Sequence, residues 1–415
     1  MGRRLQDTEV KHLPGPLEGV RVVECAVWHA GPGASAILAD MGAEVIKVET
    51  LQGDPERSQI NLGAVRFEGT NIPDWSFLFE LSNRNKKGIC LDMDTAQGRE
   101  VFDQLIESAD VFLTNLRKST KPRLGIDYES ISAINPIIVH ANVSGFGPKG
   151  GMSDIGAFDP MGQAISGMMF LTGPDEPVLL QSVVLDQLTA IAASHAILSA
   201  LFVRERHGIG QEVHVSLYSS AIWLTHSNVL AAGIMKKDPL IKWDRSSNPP
   251  LRNCFKCADD KWLMGTNHPE EKFWSRFCEV MDQAQLEFDP RYVTVAEREI
   301  HAKELVAFFD DIFRSKPRDE WLEILQSNGL MFAPVHDLSE VLNDPQALVN
   351  DYVVDCEHPR LGHIKMPGYP IQFSANKAGT HAPAPLLGEH TDEVLTSLGY
   401  SEGQLEAMRR EDVIR

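Results

Sequence analysis

The chain has 415 residues, of which 43% are hydrophobic and 23% charged, an ordinary composition for a globular protein of two or three domains. Its 39 Lys and Arg against 58 Asp and Glu give a net charge of −19. Nucleic acids and anionic membranes bind basic surfaces, so a general affinity for either is excluded, and an anionic ligand would need a locally basic pocket.

Neither a targeting signal nor a membrane span is predicted. The first eleven residues contain no apolar run of the length found in secretory signals. The most apolar stretch, residues 190–203, is shorter than the roughly 20 residues that cross a bilayer. Six cysteines in a chain of this length do not indicate a disulfide framework. We therefore expect a soluble, cytoplasmic protein.

The N-terminal third of the chain alternates short β-branched runs with segments of helical periodicity. Such alternation is typical of a parallel sheet covered by helices, so the expected fold class is α/β with a Rossmann-like large domain. Strands are predicted at 19–25, 43–49, 110–114 and 136–143, and helices at 30–41, 98–108 and 128–134.

The remainder of the chain divides into further parts. A long apolar helix at 186–207 and a strand at 208–216 complete the large domain, and a smaller α+β domain follows a stretch rich in turn residues. The last part is irregular until a final helix from about 391, and an irregular segment of this length should lie on another surface. The expected organisation is a large domain at 1–215, a linker at 216–245, a small domain at 246–335 and a C-terminal segment at 336–415.

A turn at Ala30-Gly-Pro-Gly-Ala-Ser-Ala36 joins the first strand to its helix, and Glu49 ends the second strand. This is the layout of a dinucleotide fold, in which helix N-terminal amides hold phosphate and the acid binds a ribose hydroxyl. However, Pro32 lacks an amide donor, and Ala36 stands where the third glycine would be. A tight β–α turn is therefore favoured over a nicotinamide-cofactor site.

Residues 81–125 form a window of local positive charge in an acidic chain. Eight basic and six acidic residues give this window a charge of +2. Guanidinium and ammonium groups beside predicted strands would suit a phosphate-rich ligand. A solvated charged face explains the same residues equally well, so both interpretations stay open. The basic residues are Arg84, Lys86, Lys87, Arg99, Arg117, Lys118, Lys121 and Arg123.

No metal site is predicted. Cys254 and Cys257 have the spacing of zinc ligands, but no second Cys or His pair lies at the spacing of a zinc finger. The histidines are scattered, and neither an H-E-x-x-H nor a G-x-S-x-G motif occurs.

Asp186 is an isolated acid between an apolar strand-like segment and the long apolar helix. Its ordinary interpretation is an N-cap, which accepts hydrogen bonds from the amides of the first turn. The functional alternative uses the same position, because a carboxylate at a helix N-terminus stays ionised and is held in one orientation. Asp186 could then act as a nucleophile toward an activated acyl group.

Short motifs follow one another along nearly the whole chain, and their order and spacing are specific when taken together. They are Pro16-Leu-Glu-Gly-Val-Arg-Val, Ala30-Gly-Pro, Met41-Gly-Ala-Glu-Val-Ile-Lys-Val-Glu49, Asn85-Lys-Lys, Leu91-Asp-Met93, Val143-Ser-Gly-Phe-Gly147, Gln163-Ala-Ile-Ser-Gly167, Gly208-Ile-Gly-Gln211 and Ala384-Pro-Leu-Leu-Gly-Glu-His-Thr391. With these motifs the chain resembles the class III CoA-transferases, the family of formyl-CoA transferase and crotonobetainyl-CoA:carnitine CoA-transferase.

The resemblance implies an enzyme that moves CoA from an acyl-CoA thioester to a free carboxylic acid. Asp186 stands at the position of the family's nucleophile, which forms an aspartyl-acyl anhydride and then an aspartyl-CoA thioester. The implied substrates are an acyl-CoA and a carboxylic acid, with no metal and no tightly bound cofactor. The resemblance also implies an interlocked homodimer of ring-like chains, in which the segment after 335 wraps on the large domain.

The same resemblance places coenzyme A along several loops of the large domain. The basic window would then be a phosphate site, and the Gly-Pro-Gly turn would be a CoA contact. The residues assigned to CoA binding are Val27, Trp28, His29, Ala30, Leu91, Asp92, Met93, Asn115, Leu116, Arg117, Arg123, Ala157, Phe158 and Asp159.

Two departures from the family pattern bear on the reaction. Racemases of the family carry a His at the position of Phe158, and that His exchanges a proton together with the acid at position 186, which a phenylalanine cannot do. The run of glycines that closes over the intermediate in some transferases has no counterpart between 240 and 270. The alternatives to CoA transfer are an acyl-CoA racemase or isomerase, an NAD-dependent oxidoreductase, and a CoA-binding protein without activity.

Overall fold

The computed structural model describes residues 13–59, 76–173, 175–238, 240 and 243–415. The chain forms two compact units, one made of Met1–Leu240 with Val354–Arg415 and the other of Ile241–Val353. The first eleven residues, in which no signal is predicted, lie outside the described residues.

A six-stranded parallel sheet forms the centre of the large unit. Its strands are β1 (Arg21–Cys25), β2 (Glu44–Glu49), β3 (Lys87–Cys90), β4 (Val111–Thr114), β5 (Val139–Ser144) and β6 (Gln211–Ser216). Every neighbouring pair in the order β3-β2-β1-β4-β5-β6 is parallel, which confirms the predicted α/β class with a large parallel sheet. β3 has no counterpart among the predicted strands, because Lys87-Gly-Ile-Cys90 lacks the β-branched run that marks the others.

The strand order reverses between β1 and β4. β2 and β3 extend the sheet on one side of β1, whereas β4, β5 and β6 extend it on the other. In open α/β sheets a crevice forms at the carboxyl ends of the strands where the order reverses, and ligands bind in it. The loops after β1 and β4 therefore mark the place where a site is expected.

Among the described residues, ten helices of the large unit come before the second unit. A 3-10 helix at Pro55–Ser58 lies between β2 and the second of these helices. The helices are α1 (Ala30–Asp40), α2 (Phe77–Asn83), α3 (Ala96–Glu107), α4 (Thr120–Arg123), α5 (Tyr128–Ile134), α6 (Asp159–Ile165), α7 (Met168–Thr172), α8 (Val184–His207), α9 (Leu217–Leu224) and α10 (His226–Met235).

Two apolar cores lie on opposite faces of the sheet. Successive strand residues point to opposite faces, so Val22 packs in the core of α1 and α8, whereas Val23 packs in the core of α3. Both valines are fully buried, and each contributes roughly 1.5–3 kcal/mol to folding. α1 and α8 approach closely because small residues face each other: a Cβ at Gly33 would lie 3.1 Å from the Cβ of Ala190. The first turns of the two helices are thereby brought together.

α8 is long and apolar enough to cross a membrane by length and composition. Leu185, Ala193 and Ile197 of this helix belong to the core that it shares with α1. A helix buried in the core of a large protein meets the same criteria, so this property by itself does not indicate a membrane span.

The second unit is an α+β structure around a phenylalanine-rich core. Its antiparallel sheet has the order β7-β8-β9, and Phe255, Phe277 and Phe309 are fully buried. Cys254 and Cys257 are free thiols, and no metal-ligating cluster occurs among the described residues. The elements are β7 (Cys254–Lys256), β8 (Trp262–Gly265), β9 (Phe332–Val335), α11 (Trp274–Val280), α12 (Val295–Ile300), α13 (Ala302–Phe313), α14 (Arg318–Ser327), α15 (Leu338–Val341) and α16 (Pro345–Val349).

The C-terminal segment belongs to the large unit. It contains β10 (Val353–His358), which begins at the unit boundary, and β11 (Gly362–Pro367), α17 (Thr391–Ser397) and α18 (Glu402–Arg410). Leu395 and Leu405 of the last two helices lie in the core on the α3 face. The units thus divide at other positions than the expected 215, 245 and 335. The expected linker at 216–245 holds α9 and α10, and its residues 239, 241 and 242 lie outside the described residues.

Candidate active site

The loops after β1 and β4 are joined by the side chain of Asn115. Its Oδ1 accepts a hydrogen bond from the Val27 amide at 2.9 Å, and its Nδ2 donates to the Val27 carbonyl at 2.5 Å. The side-chain amide of Asn115 thus makes the hydrogen bonds to the Val27 backbone that a neighbouring strand would otherwise make. These two hydrogen bonds hold the loops after β1 and β4 together at the point where the strand order reverses.

A cavity of about 540 Å³ opens at this edge, at the carboxyl ends of β1 to β4. Six residues predicted to bind CoA line it: Val27, Leu91, Asp92, Met93, Leu116 and Arg123. The wall formed by residues 48–55 was not predicted, although the loop after β2 meets the same sheet edge as the loops that follow β1, β3 and β4.

Glu49 lies in this wall, but its carboxylate is already occupied. Arg57 binds it through Nη2 at 2.6 Å and Nε at 2.8 Å, and the Asp54 amide donates to it at 2.8 Å. The oxygens that a dinucleotide fold would offer to a ribose are therefore used within the protein. This arrangement counts against the nicotinamide interpretation of the Gly-Pro-Gly turn.

The basic window does not form one continuous surface. Four of its eight cations make ion pairs within the fold, Arg123 makes a fifth, solvent-exposed pair with Asp94 at 3.5 Å, and Lys121 donates to Asn142. Arg117, Lys118 and Arg123 are exposed, around the short helix α4. Exposed positive charge in this window is thus limited to a few side chains. The internal pairs are Arg84–Asp40, Lys86–Glu24, Lys87–Glu44 and Arg99–Asp103.

A buried charge network supports the turn that precedes α1. Glu24 binds Lys47 at 2.8 Å and Lys86 at 2.6 Å, and all three side chains are inaccessible to solvent. Although burial raises the pKa of Glu24, the two ammonium groups outweigh it and lower that pKa to about 2. Lys86 also donates to the Pro32 carbonyl at 2.8 Å, which ties the network to the first turn of α1.

Asp54 extends this network to the residues just before α1. Its Oδ2 lies 2.9 Å from Lys47 Nζ, and its Oδ1 accepts from the amides of Trp28 and Glu56. Trp28 has a φ of 61°, a left-handed conformation that non-glycine residues rarely adopt. The hydrogen bond that the Trp28 amide donates to Asp54 therefore holds Trp28 in an unfavourable backbone conformation, and with it the position of His29.

Asp186 lies in the first turn of α8, and it is not the N-cap. The N-cap residue is Val183, which makes no side-chain cap bond. Instead, Asp159 Oδ2 accepts from the amides of Leu185 at 2.6 Å and of Asp186 at 3.2 Å. The ordinary interpretation of Asp186 is thus wrong, because a carboxylate from another segment already satisfies these amides. The side chain of Asp186 remains available for other chemistry.

Asp159 is 3% exposed, and its second oxygen accepts from Gln163 at 2.5 Å. Both oxygens of this predicted CoA-binding residue are thus engaged inside the protein. The neighbouring Phe158 is 53% exposed, and its ring contacts Trp28 edge to face at 5.2 Å. These contacts bring residues 28–29 and 158–159 together around the start of α8.

The carboxylate of Asp186 is only partly exposed to solvent. Burial raises its pKa to about 7, His29 acts in the opposite direction, and the negative charges of Asp159 and Glu56 add to the rise. A carboxylate with a pKa near the working pH is typical of functional sites. Glu56 and the Gln187 side chain, which lies 3.3 Å from His29, were missed by the sequence analysis because no motif distinguishes them.

Ten of the fourteen predicted CoA residues therefore fall into two groups. One group lines the cavity, and the other, with Trp28, His29, Phe158 and Asp159, surrounds the start of α8. Ala30 opens α1 beside this second group. Ala157 lies near Gly145 and Arg117 near Gly156, since a Cβ at either glycine would come within 3.0 Å of its neighbour.

Known proteins resemble this chain over nearly its whole length. Residues 17–391 match CoA-transferase family III. An acyl-CoA transferase of Fusarium pseudograminearum is 32% identical over 407 residues, which cover 96% of this chain and 88% of the relative. A succinyl-CoA–D-citramalate CoA-transferase of Chloroflexus aurantiacus is 32% identical over 410 residues, which cover 97% and 98% of the two chains.

The chain also resembles solved structures. A CAIB/BAIF family protein from Brucella suis has a TM-score of 0.81 at 28% identity, with 93% of this chain and 100% of that chain covered. The relatives are named as CoA-transferases, which confirms both the resemblance seen in the motifs and the enzyme class that it implies. The chain belongs to CoA-transferase family III.

Proposed function

We propose that this enzyme moves CoA from an acyl-CoA thioester to a free carboxylic acid, with the Asp186 carboxylate as covalent nucleophile. One observation carries the proposal: Asp186 stands in the first turn of the 24-residue helix α8, partly open to solvent, while Asp159 satisfies the backbone amides beside it. The helix N-terminus favours the anionic form, and the capped amides hold the backbone of Asp186 in place.

The reaction needs no water and no net proton transfer. An oxygen of Asp186 attacks the acyl carbonyl, the C–S bond breaks, and CoA thiolate leaves an aspartyl-acyl anhydride. The thiolate then attacks the aspartyl carbonyl, which releases the donor acid and leaves an aspartyl-CoA thioester. An acceptor carboxylate attacks this thioester and displaces CoA thiolate, which leaves an anhydride between Asp186 and the acceptor. The thiolate then attacks the acceptor's carbonyl in this anhydride, forms the new acyl-CoA and restores free Asp186.

CoA would lie in the cavity at the carboxyl ends of β1 to β4 and reach toward the start of α8. The exposed guanidinium groups of Arg117 and Arg123 suit its phosphates, because charge-assisted hydrogen bonds from arginine match phosphate geometry. CoA enters as a substrate in this scheme. The residues that the sequence analysis assigned to CoA remain part of the proposal.

Phe158 supports transfer over racemisation. A racemase needs two groups that exchange a proton with the α-carbon, and a phenylalanine beside Asp159 can supply neither a proton nor a base. Exchange of the α-hydrogen in deuterated water, in the absence of any acceptor acid, would favour the racemase instead.

The homodimer implied by the resemblance is also part of this proposal. Helices α7 to α10 expose several large apolar side chains, and exposed apolar surface of this kind can mark a protein–protein interface. A second copy of the chain would cover them, and light scattering should then give twice the mass of one chain. Location in the cytoplasm stays a prediction. The exposed side chains include Phe170, Phe202, Trp223, Leu230 and Ile234.

The decisive experiment replaces the nucleophile. Asp186→Ala should abolish label exchange between acyl-CoA and free acids while the protein still binds CoA. Hydroxylamine added to the wild type with acyl-CoA should convert Asp186, seen by peptide mass spectrometry, into a hydroxamate. The exposed Asp319, also in the first turn of a helix, serves as the control, and Asp319→Ala should keep full activity.

Two results would contradict the proposal. Substantial exchange by Asp186→Ala would show that another group carries the acyl chain. A wild type that binds acyl-CoA yet never exchanges label with any acid would instead support a CoA-binding protein without activity.

A further inference from the structure

His29 is a buried residue in which both ring nitrogens face oxygen acceptors. Nε2 lies 3.3 Å from Gln187 Oε1, and Nδ1 lies 3.6 Å from Glu56 Oε1. A neutral imidazole has one N–H, whereas an imidazolium has two. A histidine between two acceptors is therefore matched in its protonated form, since the neutral form would direct a lone pair at one of the oxygens.

Glu56 is held in place to serve this contact. Its second carboxylate oxygen accepts from Ser82 Oγ at 2.7 Å, and its amide donates to Asp54 at 2.9 Å. Only 1% of Glu56 is exposed, and within the part of the chain that the structure describes its ion-pair partner is His29. A buried carboxylate is rarely left without a positive partner, and the Glu56 carboxylate in turn stabilises the charged form of His29.

The same histidine contacts the residue next to Asp186. Gln187 directly follows Asp186, and the close contact of Gly33 with Ala190 fixes the first turns of α1 and α8 against each other. The groups that face Asp186 are His29, Asp159 and Glu56, and His29 alone among these carries positive charge. Glu56 and Asp186 are the charged groups that face His29.

The direction of the His29 shift agrees with this geometry. Burial lowers its pKa, but the Glu56 carboxylate, the Asp186 charge and the Gln187 contact outweigh burial and raise that pKa above its usual value. The direction of this shift favours the imidazolium form of His29.

We infer that His29 is a positioning residue which, as an imidazolium held between Glu56 and Gln187, keeps the Asp186 carboxylate ionised for attack. This inference rests on the proposed function. During the first step the negative charge moves from Asp186 to the departing CoA thiolate. The positive charge on His29 compensates this negative charge both before and after the step. Glu56 thereby becomes part of the machinery although it touches no reacting atom.

The kinetic test compares pH profiles of kcat/KM. The wild type should give a bell, with Asp186 ionising on the acid side and His29 losing its proton on the alkaline side. In His29→Gln the acid limb should move to higher pH by about one unit or more, and kcat/KM at pH values below this limb should fall at least tenfold. The alkaline limb assigned to His29 should vanish. Glu56→Gln should move the alkaline limb to lower pH without raising the acid limb.

His363→Gln is the matched control. His363 is an exposed histidine of β11 that also has carboxylate partners, Glu357 and Asp355, and its hydrogen bond with Glu357 raises its pKa as well. Its replacement should leave both limbs unchanged. This control separates the effect of losing any titrating histidine from the effect of losing His29.

A second readout needs no substrate. In protein with ¹³C-labelled imidazole rings, the NMR titration midpoint of His29, assigned from His29→Gln, should fall in both Glu56→Gln and Asp186→Asn. The inference is overturned if neither variant shifts this midpoint, or if His29→Gln keeps the wild-type acid limb while hydroxylamine still marks Asp186. Absence of any mark on Asp186 in the wild type would reject the proposed function, whatever the histidine titration shows.

Discussion

Replacing the proposed nucleophile by its neutral isostere should make the protein more stable at neutral and alkaline pH. Burial raises the pKa of Asp186 from its usual 3.8 to about 7. Between these two values the native state holds a proton that the unfolded chain has released, so the stability of the wild type falls as the pH rises. Asp186→Asn does not titrate and escapes this loss.

The size of the effect follows from the shift. About three pKa units correspond to about 4 kcal/mol. Because Asp186 is partly exposed, screening by solvent reduces this to about 2 kcal/mol. The free energies of unfolding of variant and wild type should therefore differ least near pH 4, diverge up to about pH 7, and differ by a constant amount above it.

Thermal unfolding followed by circular dichroism between pH 4 and 8 measures this difference. We expect Asp186→Asn to unfold roughly 2–3 °C above the wild type at pH 8 and close to it at pH 4. Asp319→Asn, an exposed acid in the first turn of α14, should show no such gain. A gain in unfolding temperature that is independent of pH, or absent at pH 8, would refute the claim that the buried Asp186 carboxylate destabilises the wild type.

Three further outcomes are expected. Asp159→Ala leaves the amides of Leu185 and Asp186 without their acceptor, so it should destabilise the protein by about 1–2 kcal/mol in denaturant titrations. The same variant should lower kcat, and an unchanged kcat would argue against a positioning role of Asp159. Arg123→Gln should raise the KM for acyl-CoA about tenfold with little change in kcat, since a phosphate contact binds ground and transition states alike, whereas an equal loss in kcat would contradict this placement. Burial raises the pKa of Cys25 to about 12, so iodoacetamide at pH 8 should leave this thiol, in the cavity wall, unmodified by mass spectrometry, and its rapid alkylation would show that the wall opens.

Local patterns accounted for most of the large unit. β1, β2, β4 and β5 follow β-branched runs, and α8 follows a long apolar segment, because propensity and periodicity are properties of neighbouring residues. β3 was missed for the same reason, since its pairing with β2 compensates for a weak local signal. The unit boundaries were also missed, because α9 and α10 are assigned by their packing rather than by composition.

The basic window shows the same limit at the level of side chains. Its composition indicates positive charge, but only the fold shows that Lys86 is buried against Glu24 while Arg123 stays exposed. A count of charges along the chain cannot tell a buried ion pair from a surface that meets a ligand.

By itself, the amino-acid sequence determined the α/β class, the family and the position of Asp186 at the start of a long helix. Only the tertiary structure decided that Asp159, 26 residues before Leu185, caps that helix, and that His29 meets Gln187 across 158 residues. The physical reason is that a carboxylate's charge state depends on burial and on the charges within a few ångströms of it. Folding sets those neighbours by packing α1 against α8, and no local pattern of residues records which distant groups will meet.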